Sequence, residues 1–323
     1  MSDPLRLGLV GAGFIARQHL EVIAATPGVE AVGIASRTRE KAVALAAEFG
    51  VPTVADDMAA LVAETTPDAL MILVSAGKMH EVTDAALDFR LPLFIEKPPG
   101  LSVEEAEALA GKAARLGVPH MVGFNRRFYS IFRKGIEIVA SHGCGKLMTV
   151  AIEGHERIWK PKKNPQFTSA ELDGWIYANG THTLDLLRFF GGEVATMSVA
   201  ARRVHEANGD QFAALVEFES GALGQYTANW HSPGGWSVTL YGDGVTVKFQ
   251  PLEKGTWTDT SFTTRDIEPD AEDIAVKPGF TGQMNAFVTL LREGRLDPPA
   301  QDLDGAAATM RLAQRLVAAV KPR

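Results

Sequence analysis

Short apolar runs and helical stretches take turns through the first 122 residues. Apolar runs at residues 6–10, 31–35, 69–74, 93–95 and 120–122 have strand length. Between them, apolar positions recur at helical spacing over residues 14–25, 39–49, 58–64, 79–89 and 103–116. Strict alternation of strand and helix predicts an α/β domain, a doubly wound parallel sheet with helices on both faces. Ligands of such sheets sit beyond the carboxyl ends of the strands. Ser75 with the peptide Gly77-Lys78-Met79-His80, and the segment Glu96-Lys97-Pro98-Pro99, both follow strands and are expected to face a bound nucleotide.

After Asn125 the texture changes. A helix over 131–141 precedes strand-like segments at 146–153, 193–204, 212–219, 221–230 and 237–240. Tyr241-Gly242-Asp243-Gly244 reads as a hairpin turn before a strand at 245–250, because Asp-Gly suits positive φ. Strands in succession indicate an antiparallel sheet. Helical spacing returns at 177–190, 280–292 and 305–320. With no repeat and no low-complexity linker, the change of texture sets two domains, residues 1–122 and 123–323.

The junction of the first strand and helix carries the clearest chemistry. In Gly11-Ala12-Gly13-Phe14-Ile15-Ala16, Gly11 permits a sharp turn out of the strand and Gly13 a close backbone approach to phosphate oxygens. Ala16, in the third small position, lets the helix pack close to the sheet. The N–H groups at the start of that helix then face a pyrophosphate. About 20 residues on, an acidic side chain is expected where NAD ribose hydroxyls are read. Ser36 and Arg37 stand there instead, with no carboxylate before Glu40. A hydroxyl beside a planar guanidinium suits a 2′-phosphate, which favours NADP and leaves NAD open.

Bulk properties narrow the partners. The 323 residues are 46% hydrophobic and 22% charged, as in ordinary soluble globular proteins. A net charge of −7 argues against nucleic acid or an anionic membrane as the main partner. No apolar run is long enough to cross a bilayer, and no N-terminal leader is expected. The single cysteine, Cys144, forms no intrachain disulfide and fits a cytoplasmic setting. His142 and Cys144 share a turn without further nearby ligands, so no metal site is expected.

Glu96-Lys97-Pro98 is the second chemical signal. Pro98 removes a backbone donor and holds Lys97 extended. A lysine whose pKa is lowered by burial or a nearby cation moves the proton of a hydroxyl while hydride leaves the same carbon. Together with His19, these motifs, Gly123-Phe124-Asn125-Arg126-Arg127-Phe128, Gly180-Thr181-His182-Thr183-Leu184-Asp185 and Asp304-Gly305 make the chain resemble the Gfo/Idh/MocA oxidoreductases over nearly its full length. The resemblance implies a Rossmann domain, followed by an α+β domain whose open, mainly antiparallel sheet supports a homo-oligomer, dimer or tetramer. It also implies hydride transfer between NAD(P) and a hydroxyl or carbonyl of a sugar, sugar acid, nucleotide sugar or cyclitol, with Lys97 and His182 as catalytic residues. The cofactor residues expected on this reading are Gly11, Gly13, Phe14, Ile15, Ser36, Arg37, Ser75, His80, Glu96 and Lys97.

One family feature is missing. Dehydrogenases of the family pair the lysine with an Asp-x-x-x-His element on a helix, where spacing of four puts both side chains on one face. The position four before His182 is Ala178. Tyr177 and Asn179 flank it, about 100° away on a regular helix. Asp185 lies three residues after His182, as a partner for the histidine or as a structural residue. Three readings stay open: Lys97 with His182 suffices, another residue such as Tyr177 or His155 replaces the carboxylate, or the chain is a non-catalytic cofactor-binding sensor or assembly protein. The loop from His155 to Lys163 carries Arg157, Trp159 and three lysines, suited either to an anionic substrate or to solvent. Arg126, Arg157, Tyr177, Asn179 and His182 are therefore the substrate-binding candidates, while Trp230 and Trp236 are expected to pack the sheet.

Overall fold

The computed structural model describes residues 3–321. The chain divides into two units. The first comprises the residues up to Asn125 together with Ala275–Ala307, and the second comprises Arg126–Ile274 and the residues from Ala308 onward.

In the first unit, β1 (Leu5–Val10), α1 (Phe14–Ala25), β2 (Val29–Ala35), α2 (Arg39–Phe49), β3 (Thr53–Ala55) and α3 (Met58–Thr65) form one half. The other half is β4 (Ala69–Ile72), α4 (Ala76–Leu87), β5 (Leu93–Glu96), α5 (Val103–Leu116) and β6 (His120–Gly123). All neighbours pair in parallel in the order β3-β2-β1-β4-β5-β6, so strand order reverses between β1 and β4. Such a reversal opens a crevice at the strand ends. Local chemistry sets the helix ends: Asp57 accepts the Ala60 N–H at 2.8 Å ahead of α3, and Ser102 accepts the Glu105 N–H ahead of α5. One face of the sheet packs Val10, Leu70, Ile72 and Ile95 against Leu61, Met79, Leu87 and Leu109.

The second unit starts with α6 (Ser130–Ala140), β7 (Leu147–Gly154), α7 (Ser169–Asp173), a single π turn (Ile176–Gly180) and α8 (Thr181–Gly191). There follow β8 (Val194–Arg202), β9 (Gln211–Phe218), β10 (Leu223–Asn229), β11 (Trp236–Gly242), β12 (Val245–Phe249), β13 (Gly255–Asp259), β14 (Thr264–Ile267) and α9 (Ala271–Ala275). The chain ends with α10 (Phe280–Glu293), α11 (Leu303–Ala318) and β15 (Val320–Lys321). The sheet runs β14-β13-β12-β11-β7-β10-β9-β8-β15; β7 and β10 pair in parallel, as do β8 and β15, and the other neighbours are antiparallel. Alternation along β9 and β10 buries Phe212, Ala214, Val216 and Tyr226 and exposes the residues between them. The covered face packs on α6 and α8, with Phe132, Phe190 and Phe249 in mutual ring contact.

Segment 275–307 returns to the first unit, which a single cut after residue 122 does not represent. The reason is apolar: Phe280 lies 4.9 Å from the His19 ring and Phe287 lies 5.5 Å from Phe94, ring centre to ring centre. Leu303 and Ala306 enter the opposite core. Smaller departures from the sequence pattern have local causes. β3 is only three residues long, and neither the polar edge strand β14 nor its neighbour β13 shows a clear alternation. α4 begins at Ala76 rather than 79, so Gly77 and Lys78 belong to its first turn and not to a loop.

Candidate functional site

Gly11 has φ +117, and a Cβ there would lie 2.4 Å from the Leu73 carbonyl oxygen. The turn out of β1 thus requires glycine. Gly13 is different: a Cβ on it would meet nothing within 4 Å. It faces open space in a cavity of about 610 Å³ at the strand ends, lined by Gly11, Ala12, Gly13, Ser36, Arg37, Thr38, Lys41, Ser75 and Lys78, among others. Bare backbone at a helix start, backed by the fully buried Ala16, fits a nucleotide pyrophosphate.

Five of the expected cofactor residues, Gly11, Gly13, Ser36, Arg37 and Ser75, line this cavity together. Phe14, Ile15, His80, Glu96 and Lys97 do not. Phe14 is 73% exposed, with the Lys277 ammonium 6.0 Å from its ring centre. His80 sits on α4. Lys41 lines the cavity and was not anticipated; its place one turn into α2, on the side of Arg37, was the available signal. Asp56, Asp57 and Glu81 also line it; Asp56 carries Arg39, Glu81 carries Lys78, and Asp57 accepts the Ala60 N–H as the cap of α3.

Glu96 ends β5 almost fully buried. Its Oε1 is 2.8 Å from His19 Nε2, and its Oε2 accepts the Lys97 backbone N–H at 3.2 Å. His19 Nδ1 is buried with no hydrogen-bond partner. A proton there would orphan a donor, so the imidazole proton belongs on Nε2, donating to Glu96. His19 also meets Phe94 edge-on at 4.9 Å. The sequence motif His19 and the motif Glu96-Lys97-Pro98 are thus one cluster, which holds the backbone that carries Lys97; the Lys97–Pro98 bond is cis.

In the second unit, His182 is 6% exposed at the start of α8, and its ring lies 5.7 Å from Trp236. The Arg126 guanidinium sits 4.6 Å over the same indole. Trp236 thus meets His182 and Arg126, whereas Trp230 is buried against Phe212. A cavity of about 370 Å³ is lined by His155, Glu156, Arg157, Lys160, Trp236 and neighbours. Arg157 Nε donates to the Gly234 carbonyl at 3.3 Å, and His155 Nδ1 accepts the Asn229 N–H at 3.1 Å. Tyr177 is half-buried in the π turn and accepts a bond from Thr181 at its carbonyl.

The helix around Ala178 is not regular. Residues 176–180 form a π turn, so the spacing-of-four geometry assumed for positions 178 and 182 does not apply there. Asn179 donates from Nδ2 to both oxygens of Glu156, at 2.9 and 3.0 Å. Asp185 receives the Arg127 guanidinium at 2.8 and 2.9 Å and the Thr309 hydroxyl at 3.2 Å, deep inside the unit. Glu156 was missed by sequence reasoning. The available signal was parity: Val150, Ile152, Gly154, Glu156 and Ile158 are all buried, so a carboxylate occupies an inward position two residues beyond β7. Among the described residues, no three His, Cys, Asp or Glu side chains are grouped to hold a metal ion. Nor is any described helix long and apolar enough to cross a membrane.

Comparison with known proteins adds the following. Residues 5–124 match the family model described as "Oxidoreductase family, NAD-binding Rossmann fold", and residues 132–248 match the GFO/IDH/MocA C-terminal domain. The chain is 26% identical over 247 residues to a scyllo-inositol 2-dehydrogenase (NAD(+)) of Bacillus subtilis, covering 74% of this chain and 71% of that one. It is 26% identical over 308 residues to a 4-carboxy-2-hydroxymuconate-6-semialdehyde dehydrogenase of Sphingobium, covering 90% and 91%. In fold it matches a dehydrogenase from Chromobacterium violaceum with a TM-score of 0.85 at 21% identity, covering 99% and 96% of the two chains.

Proposed function

The chain belongs to the GFO/IDH/MocA oxidoreductase family, and from that premise we propose that it is an NAD(P)-dependent dehydrogenase or reductase. Its substrate is a CH–OH or carbonyl group of a sugar, sugar acid, nucleotide sugar or cyclitol. The observation that carries this reading is the open backbone at Gly13 within the cavity at the strand ends. Gly11, Gly13 and Ser75 would hold the pyrophosphate and its neighbours. A bound nicotinamide dinucleotide supplies the hydride-accepting or hydride-donating ring. Lys97 handles the other half of the chemistry, taking the hydroxyl proton on its Nζ in oxidation and returning it in reduction. Arg126, Arg157, Tyr177, Asn179 and His182 serve the substrate.

NADP is the preferred cofactor on this reading. Ser36, Arg37, Thr38 and Lys41 line the cavity; of its carboxylates, Asp56 is paired with Arg39, Glu81 with Lys78, and Asp57 caps α3. The protein is proposed to act in the cytoplasm, in keeping with its single, exposed cysteine. It is also proposed to form a homo-oligomer through the second-unit sheet, where Leu215, Leu223 and Tyr241 lie exposed on one face. Light scattering at a mass of one chain would refute that assembly.

Two measurements test the function together. Fluorescence titration of the wild type with NADPH and NADH is expected to saturate, more tightly with NADPH. Lys97→Ala is expected to lose turnover by a factor of about 10²–10⁴ while keeping its cofactor affinity. A fully active Lys97→Ala protein removes the assigned role. Saturable nucleotide binding without turnover of any sugar or cyclitol favours the cofactor-binding sensor or assembly reading, which Ala178 supports, and failure to bind either nucleotide counts against both.

A further inference from the structure

The second unit holds a carboxylate that the reading above has not used. Glu156 lies in the loop after β7, 7% exposed, at an inward position of the strand's alternation. Asn179 spans both of its oxygens, which fixes the plane of the carboxylate. That asparagine is offered by the π turn, and single π turns are frequently found at functional sites. The position of Ala178, where the family dehydrogenases carry a carboxylate, lies in the same turn. Glu156 also lines the cavity shared with Arg157, Lys160 and Trp236, and Trp236 is in turn packed against His182.

We infer that Glu156 supplies the substrate-facing carboxylate that Ala178 lacks, accepting a hydrogen bond from a hydroxyl of a polyhydroxylated ring. An acidic acceptor next to an indole face and two cationic side chains is a recognition set for a polyol: hydroxyl donors for the carboxylate, and the C–H face of a ring for Trp236. Asn179 is then a positioning residue for Glu156 rather than a direct replacement for an aspartate. Tyr226, buried with its hydroxyl 3.1 Å from Thr183 Oγ1, is pushed up in pKa first by burial and further by the Glu156 charge. The assignment rests on the proposed function, since it takes the cavity of the second unit as the substrate side.

Binding decides it independently of turnover. The probes are scyllo-inositol, myo-inositol and D-xylose, titrated calorimetrically into the NADPH-loaded wild type and into Glu156→Gln. Gln keeps the shape but replaces one acceptor oxygen by a donor, so the Kd of the best-bound probe is expected to rise about tenfold or more. NADPH affinity and Tm should stay near wild type. An unchanged probe Kd in Glu156→Gln overturns the inference, and so does a wild type that binds none of the three probes. A wild type that binds a probe but does not oxidise it when NADP+ or NAD+ is supplied as hydride acceptor sinks the dehydrogenase reading alone, because the binding comparison still stands. If Glu156→Gln does not fold, Glu156→Asp keeps the charge and withdraws it by one methylene. It should weaken probe binding at near-native Tm, and a wild-type Kd there counts against the role.

Discussion

Arg37 and Arg39 are two residues apart and chemically identical, yet their surroundings give them different work. Arg39 is bound to Asp56, whereas Arg37 lines the nucleotide cavity with Ser36. Arg37→Ala is therefore expected to raise the Kd for NADPH about tenfold or more, the scale of a hydrogen bond to a charged group, and to leave NADH almost unchanged. Parallel fluorescence titrations check it: equal losses for both nucleotides would assign Arg37 to the pyrophosphate, and no loss for either would assign it to solvent. Single residues differ in how openly the sequence displays them. Gly11 and Gly13 were legible because a strand, a glycine turn and a helix are contiguous in the chain. Glu156 was not, because its only local sign is parity, and its partner Asn179 stands 23 residues away.

At the scale of elements, the stretch ahead of His182 shows how periodicity misleads. Apolar spacing over 177–190 predicts one regular helix, and α8 covers most of it. The preceding turn is π, a departure from regular helix that apolar spacing does not encode. The far side of α8 is tied by the Asp185–Arg127 pair, whose side chains are 1% and 12% exposed. Removing one member of a buried pair leaves the other uncompensated. Asp185→Ala is expected to destabilise the protein by about 3–5 kcal/mol, read from a urea midpoint. A loss below about 1 kcal/mol would place the pair among weak surface bridges. The bonds to Arg127 and Thr309 give Asp185 a structural role in this unit.

For the whole molecule, the return of α10 to the first unit has an energetic consequence. Phe280, Met284, Phe287 and Leu290 on α10 are at most 6% exposed. At about 2 kcal/mol for each buried side chain, they supply much of a typical domain stability of about 5–15 kcal/mol. Residues 1–125 expressed alone should bind a hydrophobic dye and melt without cooperativity. The same residues joined to 275–307 by a flexible Gly/Ser linker should melt as one transition. A cooperative, dye-silent 1–125 fragment would show that the first unit needs no return segment. Alternation of strand and helix, the glycine turn and the Lys97 motif were determined by the sequence itself, since each is written in adjacent residues through period and backbone sterics. The membership of α10, the partner of His19, the fate of Asp185 and the inward Glu156 were decided by tertiary structure. Each is a contact across a long stretch of chain, made because a buried apolar face or charge must find whatever partner the folded chain brings to it.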